Sequence, residues 1–231
     1  MSQQYTLYPL LPHDTPALYP IYSAAFSPTP FYTLVFPPSI PASTMYSWYT
    51  RRISLQLQKP QVRGFKIVTA ENEIVAFARW NFPYVPDTRE KEGEVEGEGD
   101  EAQKEEKKEK EETEDDWPPG TNLTLTTAKF GGLDGMREEW VDPTRDYVCA
   151  LLAVHPTHQR KSLGKRLLQH VLNLADAEGR RVYIEATDAG YPLYKKLGFE
   201  QVDVLPIDMR KWGVEGLGSN IIMIREPVLK S

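Results

Sequence analysis

A short basic turn between an apolar stretch and an amphipathic segment is the part of the sequence best suited to chemistry. Residues 155–161, HPTHQRK, join the apolar stretch from Val148 to Val154 to a helical pattern that begins near Ser162. The first amides of a helix lack intrahelical partners, and the helix dipole adds positive potential there. Four side chains add formal charge nearby: Arg160, Lys161, Lys165 and Arg166. The pattern predicts a site for a phosphate or pyrophosphate.

Several phosphate-binding motifs can be compared with this turn. It lacks the G-x-x-x-x-G-K-[ST] of a Walker loop and the G-x-G-x-x-G of a dinucleotide-binding loop. Val154 and Pro156 end the strand as V-x-P, and Gln159 and Gly164 follow as Q-x-x-x-x-G. This arrangement resembles the acetyl-CoA motif of the GNAT N-acyltransferase superfamily, V-x-P followed by Q/R-x-x-G-x-G/A. The alternative is an ordinary strand, turn and helix with a solvated basic turn.

Ser162 departs from that motif, because it stands where the first glycine is usual. A serine Cβ could crowd a pyrophosphate that lies on the backbone. Serine is also small, is a good helix N-cap, and carries a hydroxyl that can donate to a phosphate oxygen. We therefore expect weakened or adjusted CoA binding rather than its loss.

A second stretch carries the same resemblance. Residues 180–199 read RRVYIEATDAGYPLYKKLGF, which predicts a strand over 182–186 and a short helix from Asp188 that ends before Gly198. The pattern L-Y-x-x-L-G-F is similar to the family's helix with a tyrosine before a terminal Gly-Phe. That match places the tyrosine at Tyr194. The two stretches cover about residues 146–204, and the rest of the chain agrees by its order of elements.

The resemblance implies roles for the matched positions. Acetyl-CoA, as co-substrate, would be held by a strand end, a turn and a helix start: Leu152, Ala153, Val154, Gln159, Arg160, Lys161, Ser162, Leu163, Gly164 and Lys165. Tyr194 would donate a proton to the leaving thiolate, and its alternative is a packing role. Glu185 is a candidate general base, with a structural salt bridge as the alternative. Candidates for the substrate pocket are three aromatic residues: Phe31, Trp80 and Trp212.

The remaining elements predict the fold class. Periodicity and turn residues indicate a strand over 5–10, helices over 17–26 and about 44–58, and a hairpin over 64–82. Residues 27–41 are predicted as an ordered proline-rich loop, and Met136 to Trp140 as one helical turn among loops. The resemblance implies an α/β fold with a mixed, mostly antiparallel central sheet. Helices would flank this sheet, which would be splayed at a cleft between the fourth and fifth strands.

The charge distribution separates one segment from the rest of the chain. The net charge is -6, but residues 87–116 hold 16 acidic and 6 basic residues and so carry -10. The remainder carries +4, which suits a polyanionic co-substrate and lacks the basic stripe of a nucleic-acid binder. We expect one domain over 1–231 with this acidic insertion, either disordered or an exposed helix. The insertion could serve solubility or dock a basic partner.

Single features restrict the remaining possibilities. Cys149 is the one cysteine, so no internal disulfide forms, and its apolar surroundings indicate a core residue. We expect a cytoplasmic protein with no membrane span, no nucleic-acid partner and no metal site. The predicted function is transfer of an acetyl group from acetyl-CoA to a primary amine of a small molecule, by direct attack in a ternary complex. The alternatives are a CoA-binding protein with little catalysis and an N-acetyltransferase of proteins or peptides.

Overall fold

The computed structural model describes residues 4–86, 117–215 and 218–228. The acidic insertion predicted at 87–116 lies outside the described residues. The strands are β1 (Tyr5–Pro9), β2 (Val62–Thr69), β3 (Ile74–Asn81), β4 (Tyr147–Val154), β5 (Val182–Ala186), β6 (Glu200–Leu205) and β7 (Asn220–Arg225). The helices are α1 (Thr15–Phe26), α2 (Pro30–Val35), α3 (Ala42–Leu57), α4 (Leu123–Thr126), α5 (Gly132–Trp140), α6 (Leu163–Glu178) and α7 (Tyr191–Lys196).

Within the described ranges the strands form one sheet, in the order β1-β2-β3-β4-β5-β7-β6. Only β4 and β5 pair in parallel; the other neighbours are antiparallel. The β4–β5 pairing consists of three residue pairs and stops at Cys149 and Ile184, although β4 continues to Val154. The expected mixed, mostly antiparallel sheet with a splayed β4/β5 cleft is therefore confirmed.

Both faces of the sheet are covered. On one face α6 packs its apolar stripe against the sheet, and the side chains of Leu167, Leu168 and Val171 are fully buried there. That stripe follows the three-to-four-residue spacing seen in the sequence. On the other face, α1, α2 and α3 cover a second cluster that includes Phe77 and Ala153. A ligand that enters the β4/β5 cleft would therefore meet different residues above and below the sheet.

A register shift bends the middle of the sheet at β4. Arg79 pairs with Leu151 and Trp80 with Cys149, so Ala150 has no partner on β3. An extra residue in one strand reverses the alternation of side chains beyond it. Cys149 and Leu152 accordingly both pack on the α6 face, whereas Leu151 packs on the α3 face. The shift lies one residue past the last β4–β5 pair, at the point where the cleft opens.

Two helical segments differ from the sequence-based expectation. Residues 30–35 form α2, which begins at Pro30 and is capped by the Thr29 hydroxyl, instead of an irregular loop. Residues 123–140 are helical almost throughout, with a π-helical turn at Thr127–Gly131 between α4 and α5. Burial of Leu125 and Leu133 outweighs the cost of the glycines in this segment, about 1 kcal/mol each. Among the described residues, no helix is both long and apolar enough to cross a membrane.

Candidate functional site

The site is built on the half of β4 that β5 leaves unpaired. Leu151, Leu152 and Val154 are only half-buried although β4 is the central strand, because the β4–β5 pairing has already ended at Cys149. Backbone groups on that edge of β4 therefore have no strand beside them. They are available to a ligand that lies in the cleft.

The turn after β4 contains two residues with left-handed backbones, a feature of backbone concavities that bind anions. Arg160 and Ser162 both have left-handed backbones, with φ angles of 61° and 60°. The Gln159 side chain donates a hydrogen bond of 3.1 Å from its Nε2 to the Val154 carbonyl and so closes the turn onto the strand. The left-handed φ explains why glycine is usual at position 162, since a Cβ is disfavoured there by about 1–2 kcal/mol.

Ser162 does not act as the capping residue that the sequence suggested. Its side chain makes no capping hydrogen bond, because a left-handed residue does not present its hydroxyl to the following amides as an extended N-cap does. The side chain is exposed, as are those of Arg160 and Lys161. The first amides of α6 thus lack a cap from this serine and lie beside two exposed basic residues, Arg160 and Lys161, which suits an anion.

Gly164 lies where the turn, β4 and α7 come together. A Cβ at this position would lie 3.4 Å from Leu193 Cδ2 and 3.6 Å from Leu152 Cδ2. A Cβ alone would make ordinary van der Waals contacts there, and only a larger, branched side chain would have to displace the two leucines. The residues present fit a pyrophosphate group with an extended arm that runs along β4.

Tyr194 reaches the same cleft from the α6 face. It lies on α7 and is buried in the cluster that contains Cys149. Its ring covers Gly190 so closely that a Cβ there would lie 2.7 Å from Tyr194 Cε2. Burial, with a smaller effect of Cys149, raises the pKa of Tyr194 well above 10. The phenol therefore stays protonated at neutral pH and can act as a proton donor but not as a base.

Glu185 lies on the opposite face and is held in an ion pair. Arg137 of α5 places its Nε 2.7 Å from Oε1 and its Nη2 2.7 Å from Oε2 of the carboxylate. The Tyr183 hydroxyl donates to Oε1 at 3.2 Å. Burial raises the pKa of Glu185, and the Arg137 charge opposes that shift. The salt bridge given as the alternative for Glu185 is thus present, and it occupies both carboxylate oxygens.

The three aromatic pocket candidates lie in different surroundings. Phe31 on α2 and Trp212, in the 3₁₀ turn Met209–Trp212, are half-buried on the α3 face of the sheet. Trp80 is fully buried in the α6-face cluster, where its burial favours packing over contact with a substrate. Phe31 also contacts Phe130, at a ring distance of 6.5 Å. The structure thus brings Phe31 and Trp212 to the face that carries Glu185, and not Trp80.

Sequence reasoning missed three cations on this face: Arg79, Lys129 and Arg137. One signal was available, since Arg79 is the single charged residue in the apolar strand IVAFARWN. Lys129 lay in a segment interpreted as loop and Arg137 in a single predicted helical turn, so nothing in their spacing placed them at the site. Cys149, by contrast, is the buried core thiol that was expected, and burial raises its pKa well above the ordinary value.

Two surface grooves lie away from the candidate site. One, of about 480 Å³, runs beside Trp48, Arg51 and Trp117. The other, of about 550 Å³, lies near Asp146 and Arg181, at the start of β4 and β5. Neither is lined by the turn after β4 or by Tyr194. The candidate site is therefore located by the separation of β4 from β5 and by the N-terminus of α6, and not by the size of a groove. Among the described residues, no group of three or more His, Cys, Asp or Glu could hold a metal ion.

Comparison with known proteins supports this location. Residues 129–201 match a family model described as an acetyltransferase (GNAT) domain. The chain is 31% identical over 104 residues to the N-alpha-acetyltransferase RimI of Mycobacterium tuberculosis, a match that spans 38% of this chain and 65% of that protein. The matched family segment contains the turn after β4, α6, β5 and α7.

Solved structures share the fold over nearly the whole chain. The ribosomal-protein-S18-alanine N-acetyltransferase of Escherichia coli superposes with a TM-score of 0.54 and 16% identity, covering 99% of this chain and 97% of that one. A histone acetyltransferase HPA2 and related acetyltransferase from Corynebacterium glutamicum superposes with a TM-score of 0.56 and 18% identity. The superposition covers 100% of this chain and 99% of that one. The C-terminal condensation domain of Ebony superposes with a TM-score of 0.66 and 11% identity, covering 97% of this chain and 99% of that one. At these identities the likeness shows the fold.

Proposed function

We propose that the chain, whose residues 129–201 match an acetyltransferase (GNAT) domain, is an N-acetyltransferase that transfers the acetyl group of acetyl-CoA to a primary amine of a small molecule. One observation carries the proposal. An uncapped helix N-terminus with a left-handed turn lies at one end of the open β4/β5 cleft, and Tyr194 borders the same cleft. The first feature suits the pyrophosphate of acetyl-CoA, and the second suits its sulfur.

Each part of the chain has a stated task in the proposed reaction. Amides and side chains from Gln159 to Lys165 hold the pyrophosphate, and unpaired backbone groups of Leu152 to Val154 hold the arm and polarise the thioester carbonyl. The neutral amine forms a bond to the carbonyl carbon, and the carbon–sulfur bond breaks. Tyr194 gives its proton to the departing sulfur, water takes the proton lost by the amine, and the Tyr194 phenolate regains a proton from solvent before the next turnover.

Glu185 has a different task from the one its position in the sequence suggested. Because Arg137 occupies both carboxylate oxygens, we propose that Glu185 positions Arg137 rather than accepting a proton. Phe31 and Trp212 are proposed to line the amine side of the cleft. The buried free thiol of Cys149 agrees with a reducing, cytoplasmic location, which we also propose.

The experiment is calorimetry with acetyl-CoA, followed by measurement of free thiol released with a panel of primary amines. Gly164→Val should weaken acetyl-CoA binding at least tenfold, because the added side chain meets Leu193 and Leu152. Gly135→Val is the matched control, since a Cβ there meets nothing within 4 Å. The proposal would be contradicted if neither the wild-type protein nor Gly135→Val bound acetyl-CoA. It would also be contradicted if Gly164→Val and Gly135→Val bound acetyl-CoA equally well.

A second candidate function is acetylation of protein or peptide N-termini. The relative from Mycobacterium tuberculosis carries the name N-alpha-acetyltransferase, which is the observation in its favour. Peptides with free and blocked N-termini distinguish the two candidates from each other. Turnover of free peptides at rates above those of all small amines would replace the small-molecule proposal. Acetyl-CoA binding without turnover of any amine would instead indicate a CoA-binding protein with little catalysis.

A further inference from the structure

Two mostly buried cations on the α3 face lack a carboxylate partner. Arg79 lies on β3 opposite Leu151, next to the point where the cleft opens. Its Nη1 donates to Gln56 Oε1, whereas its Nε is enclosed and makes no hydrogen bond. Among the described residues no carboxylate lies within 4 Å of the Arg79 guanidinium.

Lys129 is the second of these cations. It lies in the π-helical turn Thr127–Gly131, and its Nζ is 3.8 Å from the centre of the Phe31 ring. In the described part of the chain, no carboxylate reaches its ammonium group within 4 Å either. Burial lowers the pKa of Lys129 to about 8, and the more distant Glu185 opposes that shift only in part. π-Helical turns often occur at functional sites.

The nearby carboxylates of Glu185 and Asp134 are paired with Arg137. Arg137 is matched by Glu185 and by Asp134, whose Oδ1 lies 2.8 Å from Arg137 Nη1. Arg52 stacks on Trp117, 4.9 Å from the ring centre. Burial and the charges of Arg137 and Arg52 lower the pKa of Arg79 to about 10, although Tyr49 raises it. Arg79 is therefore protonated at neutral pH and close enough to both arginines to feel their charge.

An arrangement of this kind is costly in the absence of a ligand. A buried charge is expensive unless a counter-charge pairs with it, and a buried donor without an acceptor adds a further penalty. The Tyr49 hydroxyl is a second enclosed polar group without a partner, and Tyr49 and Arg79 interact electrostatically. Such unsatisfied donors often mark the place of a ligand. An anion with acceptor oxygens would supply both the counter-charge and the acceptors that these groups lack.

We propose that the acceptor is an amine that also carries a carboxylate, as in an amino acid, and that Arg79 binds this carboxylate with Lys129 providing further positive charge. This inference rests on the proposed acetyl transfer. A planar guanidinium recognises a carboxylate through two parallel hydrogen bonds, which a lysine does not reproduce. The same positive charge disfavours di- and polyamines, because a second ammonium would be repelled.

The test compares amines that differ only in the carboxylate. Suitable pairs are tyrosine and tyramine, tryptophan and tryptamine, phenylalanine and phenethylamine, and arginine and agmatine. For each pair, thiol release gives kcat/KM with acetyl-CoA, and calorimetry in the presence of CoA gives binding without turnover. In the best pair, we expect the carboxylate-bearing member to be favoured at least tenfold in both measurements.

Variants connect that preference to Arg79. Arg79→Gln should raise the KM of the carboxylate-bearing amine at least tenfold and leave the KM of acetyl-CoA and the rates of the decarboxylated amines within threefold. Arg51→Gln makes the same chemical change on the exposed side of α3 and should change none of these values. Arg79→Lys restores the charge without the planar fork and should recover only part of the loss.

Each outcome gives a separate answer. Equal use of both members of every pair, or preference for the decarboxylated ones, overturns this inference and leaves acetyl transfer standing. Preferential binding of the amino acids without any turnover supports the inference and contradicts the proposed function. Failure of every amine to bind or react overturns both. A preference that persists unchanged in Arg79→Gln would remove Arg79 from the assignment.

Discussion

The Arg137 guanidinium holds the Glu185 carboxylate from the side, with its Nε and Nη2 each 2.7 Å from one carboxylate oxygen. This pair joins the end of β5 to α5 across the α3 face of the sheet. Because both oxygens are occupied, Glu185 is better suited to fixing Arg137 than to taking a proton from an amine.

Breaking the ion pair between Arg137 and Glu185 should lower the free energy of unfolding, because the two charges stabilise each other. Glu185→Gln should lower the free energy of unfolding by about 2 kcal/mol, less than for a fully buried pair because Arg137 is one-third exposed. A double-mutant cycle with Arg137→Gln, measured by urea denaturation, should give a coupling of about 1–2 kcal/mol.

Measurements of enzyme activity can show whether Glu185 positions Arg137 or accepts a proton. If Glu185 positions Arg137, Glu185→Gln and Arg137→Gln lower kcat/KM by similar factors and the pH profile keeps its shape. Loss of the acidic limb of the profile in Glu185→Gln alone would instead identify Glu185 as the base. Asp134→Asn is the control, because Asp134 is an exposed partner of Arg137 and should change stability by less than about 0.5 kcal/mol.

Ser162→Gly should stabilise the protein, because glycine relieves the left-handed backbone at φ 60°. The strain of about 1–2 kcal/mol is offset in part by the entropy of glycine in the unfolded chain, which leaves a gain of about 0.5–1 kcal/mol. Denaturation measures this gain, and calorimetry should show acetyl-CoA binding unchanged or tighter. The control is Ser47→Gly, at an exposed position in the middle of α3. This substitution should lower the free energy of unfolding by about 0.5 kcal/mol. Weaker acetyl-CoA binding in Ser162→Gly would mean that the serine hydroxyl contacts the phosphate.

Tyr194→Phe tests the proposed acid. Removing a general acid should lower kcat by about 10²-fold or more. Burial of the ring, which Phe preserves, should keep the melting temperature and the acetyl-CoA affinity near the wild-type values. Tyr191→Phe, on the same helix, is the control and should keep full activity. An unchanged kcat for Tyr194→Phe, in conditions where the chemical step limits the rate, would assign Tyr194 to packing.

Lys129 should make stability depend on pH in a predictable direction. Its pKa of about 8 in the folded protein lies below its ordinary value of 10.5, so the unfolded chain binds more protons between these values. The contribution of Lys129 therefore becomes more favourable as the pH rises above about 8, by at most about 1.4 kcal/mol per pH unit. Lys129→Met should be more stable than the wild type at pH 7, and this advantage should shrink by pH 9.5.

The control for this pH effect is Lys165→Met, at an exposed position of α6. It should show the same difference from the wild type at both pH values. A constant difference for Lys129→Met as well would show that Lys129 titrates normally. Tyrosines with raised pKa values change stability mainly above pH 10 and cancel in the comparison, because both proteins contain them.

Much of the fold could be predicted because local signals and tertiary packing agree. The strand at 182–186 was located at its observed bounds, and α6 follows directly from its apolar spacing. The helical conformation of residues 123–135 was missed because Gly131, Gly132 and Gly135 are typical loop signals, and the burial of Leu125 and Leu133 favours the helix. Periodicity records which face is apolar, but not what that face will meet.

The candidate site likewise contains residues that the sequence could place and residues that it could not. The turn after β4 and Tyr194 lie within short, continuous motifs, so a resemblance could place them. Arg137 and Glu185 are 48 residues apart, and Lys129 and Phe31 come from segments on either side of the acidic insertion. Contacts of that kind depend on how α5 and α2 pack on the sheet, which no local pattern records. The acceptor side of the cleft therefore required a structure.

The edge strand β1 is fastened to the turn that follows β4. The Tyr5 hydroxyl lies 3.0 Å from His158 Nδ1 and accepts a 3.0 Å hydrogen bond from Lys161 Nζ, and the Tyr5 carbonyl accepts one from Arg166. An edge strand ordinarily frays at little cost. Here fraying would also release the turn that we propose binds an anion, so we expect the two segments to open as one cooperative unit. Any ligand that fastens the turn therefore also slows hydrogen exchange in the first strand, about 150 residues away along the chain.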